Sequence, residues 1–557
     1  MIVAEYIARY LQKIGITHVF GYDGSMMLKI ADEISYLPDV DFYQGFHEQA
    51  SSFAADGYAR VTGQMGVVLV TSGPGAVNAM AGCCDAFLDS IPLLMITGQD
   101  RYTHIATNPG VRLNGFQDMD IVSMARPITK YAVQITTGMD IAYEIEKCVF
   151  LANEGRKGPV LLDVPMDIQF EEVPEDVKHF VPEEKEMTLD ISTANKIMTV
   201  LCGAKQPLIL AGGGIDIADA RQELKEFVEM TKIPVVTTLN GHDACDISLG
   251  SSGLYGKPEA NLAVCNCDVL LCLGSRFGLQ QTGKVPNEYT KAKIIHIDID
   301  EKEFGRIMEP YISLHCDVKV FLNCALRIGR AYSFPSYDLW LRKIAGWQGR
   351  YKNDLYVNTL GVDPVKLVQH IGEVCSDTAI FTNDVGQNTM WVCQGLKIKG
   401  RQRLLTSSGY ASMGFSLPAA IGTKMAKPAS QVISFSGDGG FHMNMQELQF
   451  VQLHGLNIKF VIFNNNTLGM MREVQRIYYK NNYVGSNTKE FVCVNLKKVA
   501  DLYELDYAVV TSNEDYGALD EALKSDKAAI IEIKMPEETY CRNLYDFKRD
   551  NPEEFAK

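Results

Sequence analysis

Short apolar runs alternate with segments of helical periodicity along the whole chain. Uninterrupted runs rich in β-branched residues predict buried strands, and glycine-rich turns commonly follow them. These runs lie at 67–71, 93–97, 160–164, 208–210, 234–238, 268–273, 293–298, 431–436 and 459–463. Amphipathic helices are predicted between them, including 3–14 and 218–230. Because strand and helix alternate throughout, we expect doubly wound parallel sheets of the α/β class.

The length of 557 residues is too great for one hydrophobic core. We predict three doubly wound domains, at 1–175, 188–345 and 355–536, followed by a C-terminal tail at 537–557. An acidic, proline-containing linker around 171–185 separates the first two. The tail is charged and aromatic, and the sequence leaves open whether it is a lid or a mobile end.

Composition narrows the class of protein. Apolar residues make up 46% and charged residues 22%, as in a globular protein, and the net charge of −15 argues against a nucleic-acid or anionic-membrane surface. No stretch is apolar enough to span a membrane. The 14 cysteines form no disulfide framework and are interpreted as core thiols. With no leader before the first helix, we expect a cytoplasmic protein.

The chemistry of the third domain centres on two predicted strand ends. Asp438 follows the strand at 431–436 within a glycine turn, and Asn465 follows the strand at 459–463. Ligands bind at this edge of open α/β sheets, and a carboxylate beside an amide oxygen suits Mg²⁺. The glycines would let backbone N–H groups approach a diphosphate. The alternative is an ordinary turn followed by helix caps.

Together, the Gly-Asp-Gly turn and the asparagine run resemble the signature of thiamine diphosphate enzymes. This resemblance implies that the Asp438 and Asn465 side chains and the Thr467 carbonyl bind the metal. The segment 383–388 resembles the Asp-x-Gly-Gln-His loop of the family, with asparagine in place of histidine. The segment 408–420 resembles a family loop in which a bulky side chain lies beneath the cofactor, and by position this side chain is Met413. The alternative is that Met413 is an ordinary core methionine. The resemblance implies these cofactor contacts: Gln387, Asn388, Met413, Gly437, Asp438, Gly439, Gly440, Asn465, Thr467, Leu468, Gly469 and Met470.

The first domain resembles the pyrimidine-binding domain of acetolactate synthases at 47–49, 54–60 and 71–75. Alone, Glu48 would be interpreted as a capping or ion-paired carboxylate. The resemblance implies instead that Glu48 hydrogen-bonds the aminopyrimidine ring from a buried position. It also implies that Thr71 and Gly73 bind cofactor, and that Gln117 is an active-site amide. Because this domain faces the diphosphate domain of another subunit in the family, we expect a homodimer or homotetramer.

A binding site for a second cofactor, a dinucleotide, is predicted in the central domain. The glycine run after the strand at 208–210 is either a diphosphate cradle or a tight turn, since the full Gly-x-Gly-x-x-Gly pattern is absent. The acetolactate synthase branch holds FAD in this domain without net redox use. Resemblance to that branch assigns FAD to Gly212, Gly213, Gly214, Thr238, Leu239, Arg276 and Asp298.

Three departures from the family gather on the acceptor side. Gln280 replaces an arginine that orients the acceptor carboxylate, Val474 replaces a tryptophan, and the loop 100–115 is longer. An amide cannot supply a charged bidentate fork. We therefore expect decarboxylation of a 2-ketoacid, with pyruvate as donor, and transfer of the two-carbon unit to a carbonyl acceptor. This acceptor need not be a second 2-ketoacid, and a ketosugar or an aldehyde would fit.

Three alternatives to this function remain. One is a conventional acetolactate synthase acting on two pyruvates, and another is a simple 2-ketoacid decarboxylase. A non-catalytic homologue is disfavoured by the presence of Glu48, Asp438 and Asn465.

Overall fold

The computed structural model describes residues 1–105, 110–183, 189–283, 285–352 and 361–555. It contains three parallel sheets in chain order, each with helices between successive strands. This confirms the predicted α/β class with three doubly wound units. The predicted domain starts at 188 and 355 lie outside the described residues, so these two boundaries stay predictions.

The first sheet has six strands, and its first helix, Val3–Lys13, packs against the sheet through apolar residues. Its spatial strand order is 2-1-3-4-6-5, where the numbers follow the chain. The strands are His18–Tyr22, Asp41–Gln44, Gly66–Val70, Leu93–Gln99, Tyr131–Gln134 and Pro159–Pro165. The longer helices are Val3–Lys13, Leu28–Ser35, Glu48–Thr62, Pro74–Asp89 and Ile141–Asn153.

The second sheet has five strands, in the spatial order Ile312–His315, Lys293–Asp298, Val269–Leu273, Pro207–Ala211 and Val235–Thr237. Its longer helices are Ile191–Cys202, Arg221–Thr231, Pro258–Asn266, Val318–Gly329 and Asp338–Tyr351. The helix predicted at 218–230 is shorter than expected. A separate turn of helix, Gly214–Ile217, precedes it, and Asp219 between them has φ 52°, which a continuous helix cannot contain.

The third sheet has six strands, in the spatial order Arg403–Thr406, Ile380–Asn383, Val432–Gly437, Ile458–Asn464, Ala529–Lys534 and Asp506–Val510. Its longer helices are Pro364–Val374, Gln387–Gly395, Ser416–Ala426 and Gly469–Tyr478. The two central strands are the ones predicted from the apolar runs at 431–436 and 459–463. Both are almost fully buried, as expected for a sheet covered on both faces.

Two glycines allow the first and third units to approach closely. The helix Glu48–Thr62 crosses Ser416–Ala426. A Cβ on Gly57 would overlap the carbonyl of Ala419, and a Cβ on Gly422 would overlap that of Ala54. The crossing therefore depends on the absence of side chains at both positions.

The C-terminal tail packs against the rest of the chain as far as Phe555. It forms the helices Leu544–Asp550 and Pro552–Phe555, and Phe547 is fully buried in the core shared with the central unit. An aromatic side chain of this size stabilises its position by roughly 2–3 kcal/mol through burial alone. None of the helices in the described ranges combines the length and the apolar character that crossing a membrane requires.

Candidate active site

Two neighbouring strands bring Asp438 and Asn465 to the same edge of the third sheet. In the register between these strands, Gly437 lies opposite Phe463. Asp438 begins the helix after the first strand, and Asn465 follows the second. Because both strands run in the same direction, their carboxyl ends form the edge where ligands bind in such sheets.

The Asp438 carboxyl group is buried and incompletely hydrogen-bonded. Its Oδ1 accepts the backbone N–H of Gly439 at 2.8 Å, whereas Oδ2 has no hydrogen-bond partner among the described residues. Burial raises the pKa of Asp438 to about 7, and the backbone amides of 465–467 oppose that rise. A buried carboxylate oxygen without a donor is costly unless a cation compensates it, so the side of the carboxyl group that carries Oδ2 suits a bound cation.

A second unsatisfied acceptor lies on the neighbouring segment. Gln387 Oε1 is buried without a hydrogen-bond partner among the described residues. A Cβ on Gly469 would overlap this oxygen and would lie 3.1 Å from Asn465 Nδ2. Gln387, Asn465 and Gly469 therefore converge on one point.

Asp384 organises the loop that carries Met413, a role the sequence analysis did not assign. Its carboxylate accepts the backbone N–H groups of Gly414 and Ser416, each at 3.0 Å. Burial raises the pKa of Asp384 to about 6. Asn388 Nδ2 donates to the Asp384 carbonyl at 2.6 Å. The signal was present in the sequence, because Asp384 opens the same Asp-x-Gly-Gln segment as the predicted contacts.

Met413 and Leu468 meet beside the glycine turn. A Cβ on Gly439 would lie 2.5 Å from Leu468 Cδ2 and 3.3 Å from Met413 Cε. A Cβ on Gly440 would overlap the carboxylate of Asp384. The turn thus has apolar side chains on one side and a carboxylate on the other, and only glycine fits between them.

The residues around this edge offer hard oxygen donors. No cluster of three His, Cys, Asp or Glu side chains that could hold a metal occurs in the described ranges. The donors near the turn are one carboxylate with amide and backbone oxygens, a set compatible with Mg²⁺. Thr467 is held in place because its hydroxyl donates to the Ser486 carbonyl. Met470, the second residue of the helix Gly469–Tyr478, is partly buried against the core.

Glu48 and Thr71 lie together at the edge of the first sheet. Glu48 Oε2 accepts the side-chain amide of Asn78 at 3.0 Å. A Cβ on Gly75 would lie 2.9 Å from Thr71 Cγ2 and 3.3 Å from Glu48 Oε1. The predicted burial of Glu48 is not reached within one chain. Its side chain is partly exposed, because it stands on the first turn of a helix whose buried residues begin at Ala50.

Gly73 and Gln117 are in contact. Gly73 has φ 57°, and a Cβ there would lie 2.8 Å from the Gln117 carbonyl. Gln117 itself has φ 58°, a left-handed conformation that is uncommon outside glycine and is found at constrained functional sites. In the long loop 100–115, residues 106–109 lie outside the described part of the chain.

A cavity of about 860 Å³ lies between the first and central units and includes Ser408 and Gly409 of the third. All but one of the residues predicted for FAD line it: Gly213, Gly214, Thr238, Leu239, Arg276 and Asp298. Gly212 is not in its lining. A Cβ on Gly212 would instead overlap the carbonyl of Gly274, so this glycine allows two strand ends to approach closely.

The two predicted acceptor residues lie in different settings. Gln280 is exposed and lines the large cavity. Val474 is partly buried on the helix Gly469–Tyr478, the same helix that begins with Gly469 beside Gln387.

Three family models match the chain in the order of its three sheets. They are described as the thiamine pyrophosphate enzyme N-terminal TPP binding domain at residues 1–124, the central domain at 194–324 and the C-terminal TPP binding domain at 384–533. Asp438 and Asn465 lie within the third match, and Glu48 and Thr71 lie within the first.

Curated relatives match over most of their length. The acetolactate synthase large subunit of Lactococcus lactis is 36% identical over 487 residues, 86% of this chain and 83% of the relative. That of Porphyra purpurea is 34% identical, covering 95% and 90%. A probable acetolactate synthase large subunit of Methanocaldococcus jannaschii is 35% identical, covering 95% and 91%.

Proposed function

Because the chain belongs to the thiamine pyrophosphate enzyme family, in its acetolactate synthase-like branch, we propose that it decarboxylates pyruvate and joins the two-carbon remainder to a second pyruvate. The carboligase class of enzyme follows from the family. The observation that best supports a bound cofactor is the pair of unsatisfied buried oxygens, Asp438 Oδ2 and Gln387 Oε1, beside a turn that admits only glycine.

Thiamine diphosphate and Mg²⁺ fit the edge of the third sheet. The side chains of Asp438 and Asn465 and the Thr467 carbonyl would hold the cation, with Gln387 and Asn388 next to the diphosphate. Thiamine diphosphate supplies an acidic ring carbon that adds to a 2-keto group and accepts the electrons released as CO₂ leaves. The chain must hold that ring in a fixed pose, and Met413, packed beside Gly439, would support it from below.

Glu48 would hold a proton at the pyrimidine ring nitrogen of the cofactor, and Gln117 would lie near the reacting atoms. Asn78, which donates to Glu48 Oε2, orients the carboxylate for this task. The partial exposure of Glu48 supports completion of the site by a partner subunit, as do the neighbouring exposed rings of Phe46 (40%) and Tyr22 (38%). We therefore propose a homodimer, or a tetramer built from such dimers.

FAD is proposed for the large cavity. Its volume is within the range of cofactor sites, about 300–1,000 Å³, and it combines glycine-lined backbone with polar ends at Arg276 and Asp298. An absorbance spectrum of the purified protein tests this site independently of activity, because a bound oxidised flavin absorbs visible light and the polypeptide alone does not.

The acceptor site supports a second candidate. An amide at Gln280 and a small side chain at Val474 stand where the family has an arginine and a tryptophan, and this exchange favours an uncharged, larger carbonyl such as a ketosugar or an aldehyde. Simple decarboxylation, in which a proton takes the place of the acceptor, is the remaining alternative.

The free cysteines support a reducing compartment such as the cytoplasm.

The deciding experiment incubates the purified protein with pyruvate, thiamine diphosphate, Mg²⁺ and FAD and identifies the products. Acetolactate and CO₂ in a 1:1 ratio, about that expected for carboligation, would support the main proposal. CO₂ with acetaldehyde would support a decarboxylase. Product only when a sugar or aldehyde is added would support the second candidate, and no CO₂ at all would contradict pyruvate as donor. The matched control is Asp438→Ala, in which the cation site is removed.

A further inference from the structure

The C-terminal segment 537–545 contacts both regions that carry the proposed acceptor residues. One end lies against the helix Gly469–Tyr478, which bears Val474, and the other lies against the segment around Gln280. The family model of the C-terminal domain ends at residue 533, before this segment begins.

The first attachment is to the Val474 helix. Arg472 forms an ion pair with Glu537. The guanidinium of Arg476 lies 5.2 Å from the ring centroid of Tyr540, and it also pairs with Glu473, which is buried on the same helix. Two charged side chains, one turn apart, therefore tie this helix to the segment.

The second attachment is to the Gln280 region through backbone hydrogen bonds. The N–H of Leu544 donates to the Leu254 carbonyl at 3.3 Å, and the N–H of Leu254 donates to the Gln280 carbonyl at 2.8 Å. The Tyr545 hydroxyl lies 3.5 Å from the position a Cβ would take on Gly283. A displacement of the segment would therefore be transmitted through Leu254 to the backbone of Gln280.

A third attachment lies between these two. Gln394 is fully buried; its Nε2 donates to the Arg542 carbonyl at 2.9 Å, and its Oε1 accepts from the Cys541 thiol at 3.0 Å. Gln394 belongs to the helix Gln387–Gly395, which begins with the proposed diphosphate contact Gln387. The segment is thus fixed near its midpoint to the C-terminal end of this helix, the end opposite Gln387.

We propose that the segment 537–545, called here the C-terminal strap, governs capture of the acceptor by fixing the separation between the Val474 helix and the Gln280 segment. This inference rests on the proposed function. The contacts described above, which join described residues only, involve neither Glu48 nor Gln117, the residues assigned to the cofactor's reacting end. The strap should therefore govern capture of the acceptor rather than release of CO₂.

Capture of the acceptor can be measured because the two-carbon unit has two possible products. When the site holds a second pyruvate as acceptor, two pyruvate anions and one proton give one acetolactate anion and one CO₂, with a new carbon–carbon bond. When the site holds no acceptor, one pyruvate anion and one proton give acetaldehyde and CO₂, and the proton bonds to the carbon that would otherwise join the acceptor. Loosening the strap shifts the product ratio from the first reaction to the second while CO₂ release continues.

The test uses the holoenzyme and the variants Tyr540→Ala and Glu537→Gln. We expect the ratio of acetolactate to acetaldehyde to fall about fivefold in Tyr540→Ala, because that factor corresponds to the loss of one cation–π contact of ordinary strength. The rate of CO₂ release should stay within about twofold of that of the wild type. Tyr540→Phe keeps the ring and should keep the ratio. Phe555→Ala, a matched truncation of a buried ring beyond the strap, should also keep it.

Hydrogen–deuterium exchange provides a readout that does not depend on the substrate. In both strap variants, amides of 469–478 and of 279–283 should exchange faster together, whereas Phe555→Ala should leave them protected. If Tyr540→Ala does not fold, Glu537→Gln decides the question. Unchanged product ratio, or faster exchange confined to 537–545, would overturn the strap. Absence of CO₂ from wild type would instead refute the proposed function, and the exchange result would still decide whether the strap couples the two regions.

Discussion

The Glu447 carboxylate accepts the backbone N–H of Phe46 with both oxygens, at 3.1 and 3.2 Å. Glu447 is buried and follows the helix that begins with Asp438, whereas Phe46 lies two residues before Glu48. The third unit of the chain therefore holds the turn from which the Glu48 helix starts. The apolar-run pattern gave no sign of this contact, because it joins residues about 400 positions apart.

Replacing Glu447 with glutamine should change how stability depends on pH. Burial raises the pKa of Glu447 to about 7, above its ordinary value of 4.5. Its carboxyl binds a proton more tightly when folded, so its contribution to the free energy of unfolding is fullest below pH 4.5 and is lost as pH rises to about 7. Urea unfolding of wild type and E447Q between pH 4.5 and 8 should show the variant gaining relative stability with pH. Parallel curves would show that Glu447 does not titrate in this window.

Replacing Asp438 with asparagine should stabilise the cofactor-free protein and abolish its response to cofactor. At pH 8 the variant no longer buries a charge whose Oδ2 lacks a donor, so its free energy of unfolding should exceed that of wild type. Wild type with thiamine diphosphate and Mg²⁺ at 100 times Kd should gain about 2.7 kcal/mol, and D438N should gain little. Thermal melting with and without both ligands measures this. A melting shift in D438N equal to that of wild type would refute the cation site.

Residue patterns predict the strands well and side-chain geometry poorly. The uninterrupted apolar runs at 431–436 and 459–463 gave the two central strands of the third sheet, because parallel strands are buried on both faces. The helix at 218–230 was too long by a turn, since nothing local marks the left-handed Asp219.

Candidate residues near a strand end follow from local sequence, whereas their supports do not. Asp438 and Asn465 share an edge because sheet topology places successive parallel strand ends together. Gly212 was predicted as an FAD contact by resemblance; in the structure it lies against Gly274 and outside the lining of the large cavity, and its contact with FAD stays a prediction. The buried tail was also beyond prediction, since its partners lie far away in sequence.

Replacing Gly422 with alanine should be strongly destabilising. Its Cβ would overlap the Ala54 carbonyl at the crossing of two helices, so the helices must separate, at a cost of about 3 kcal/mol. The matched control is Gly346→Ala, in a helix where a Cβ meets nothing within 4 Å. That change should stabilise the protein by about 0.5–1 kcal/mol. Chemical denaturation of both variants measures the difference, and equal effects would contradict the role of Gly422 in the crossing.

Replacing Gln280 with arginine should improve capture of a 2-ketoacid acceptor. The guanidinium offers a bidentate, charged fork to the acceptor carboxylate, whereas the amide offers one neutral donor. Because Gln280 is exposed, solvent screening limits the gain, and we expect the KM for pyruvate as acceptor to fall about threefold to tenfold with little change in CO₂ release. The control Gln280→Lys adds the same charge without the fork and should gain less. An unchanged KM for pyruvate as acceptor in the arginine variant would show that residue 280 does not contact the acceptor. If the variant also still used sugar or aldehyde acceptors, the altered specificity would have to originate elsewhere in the site.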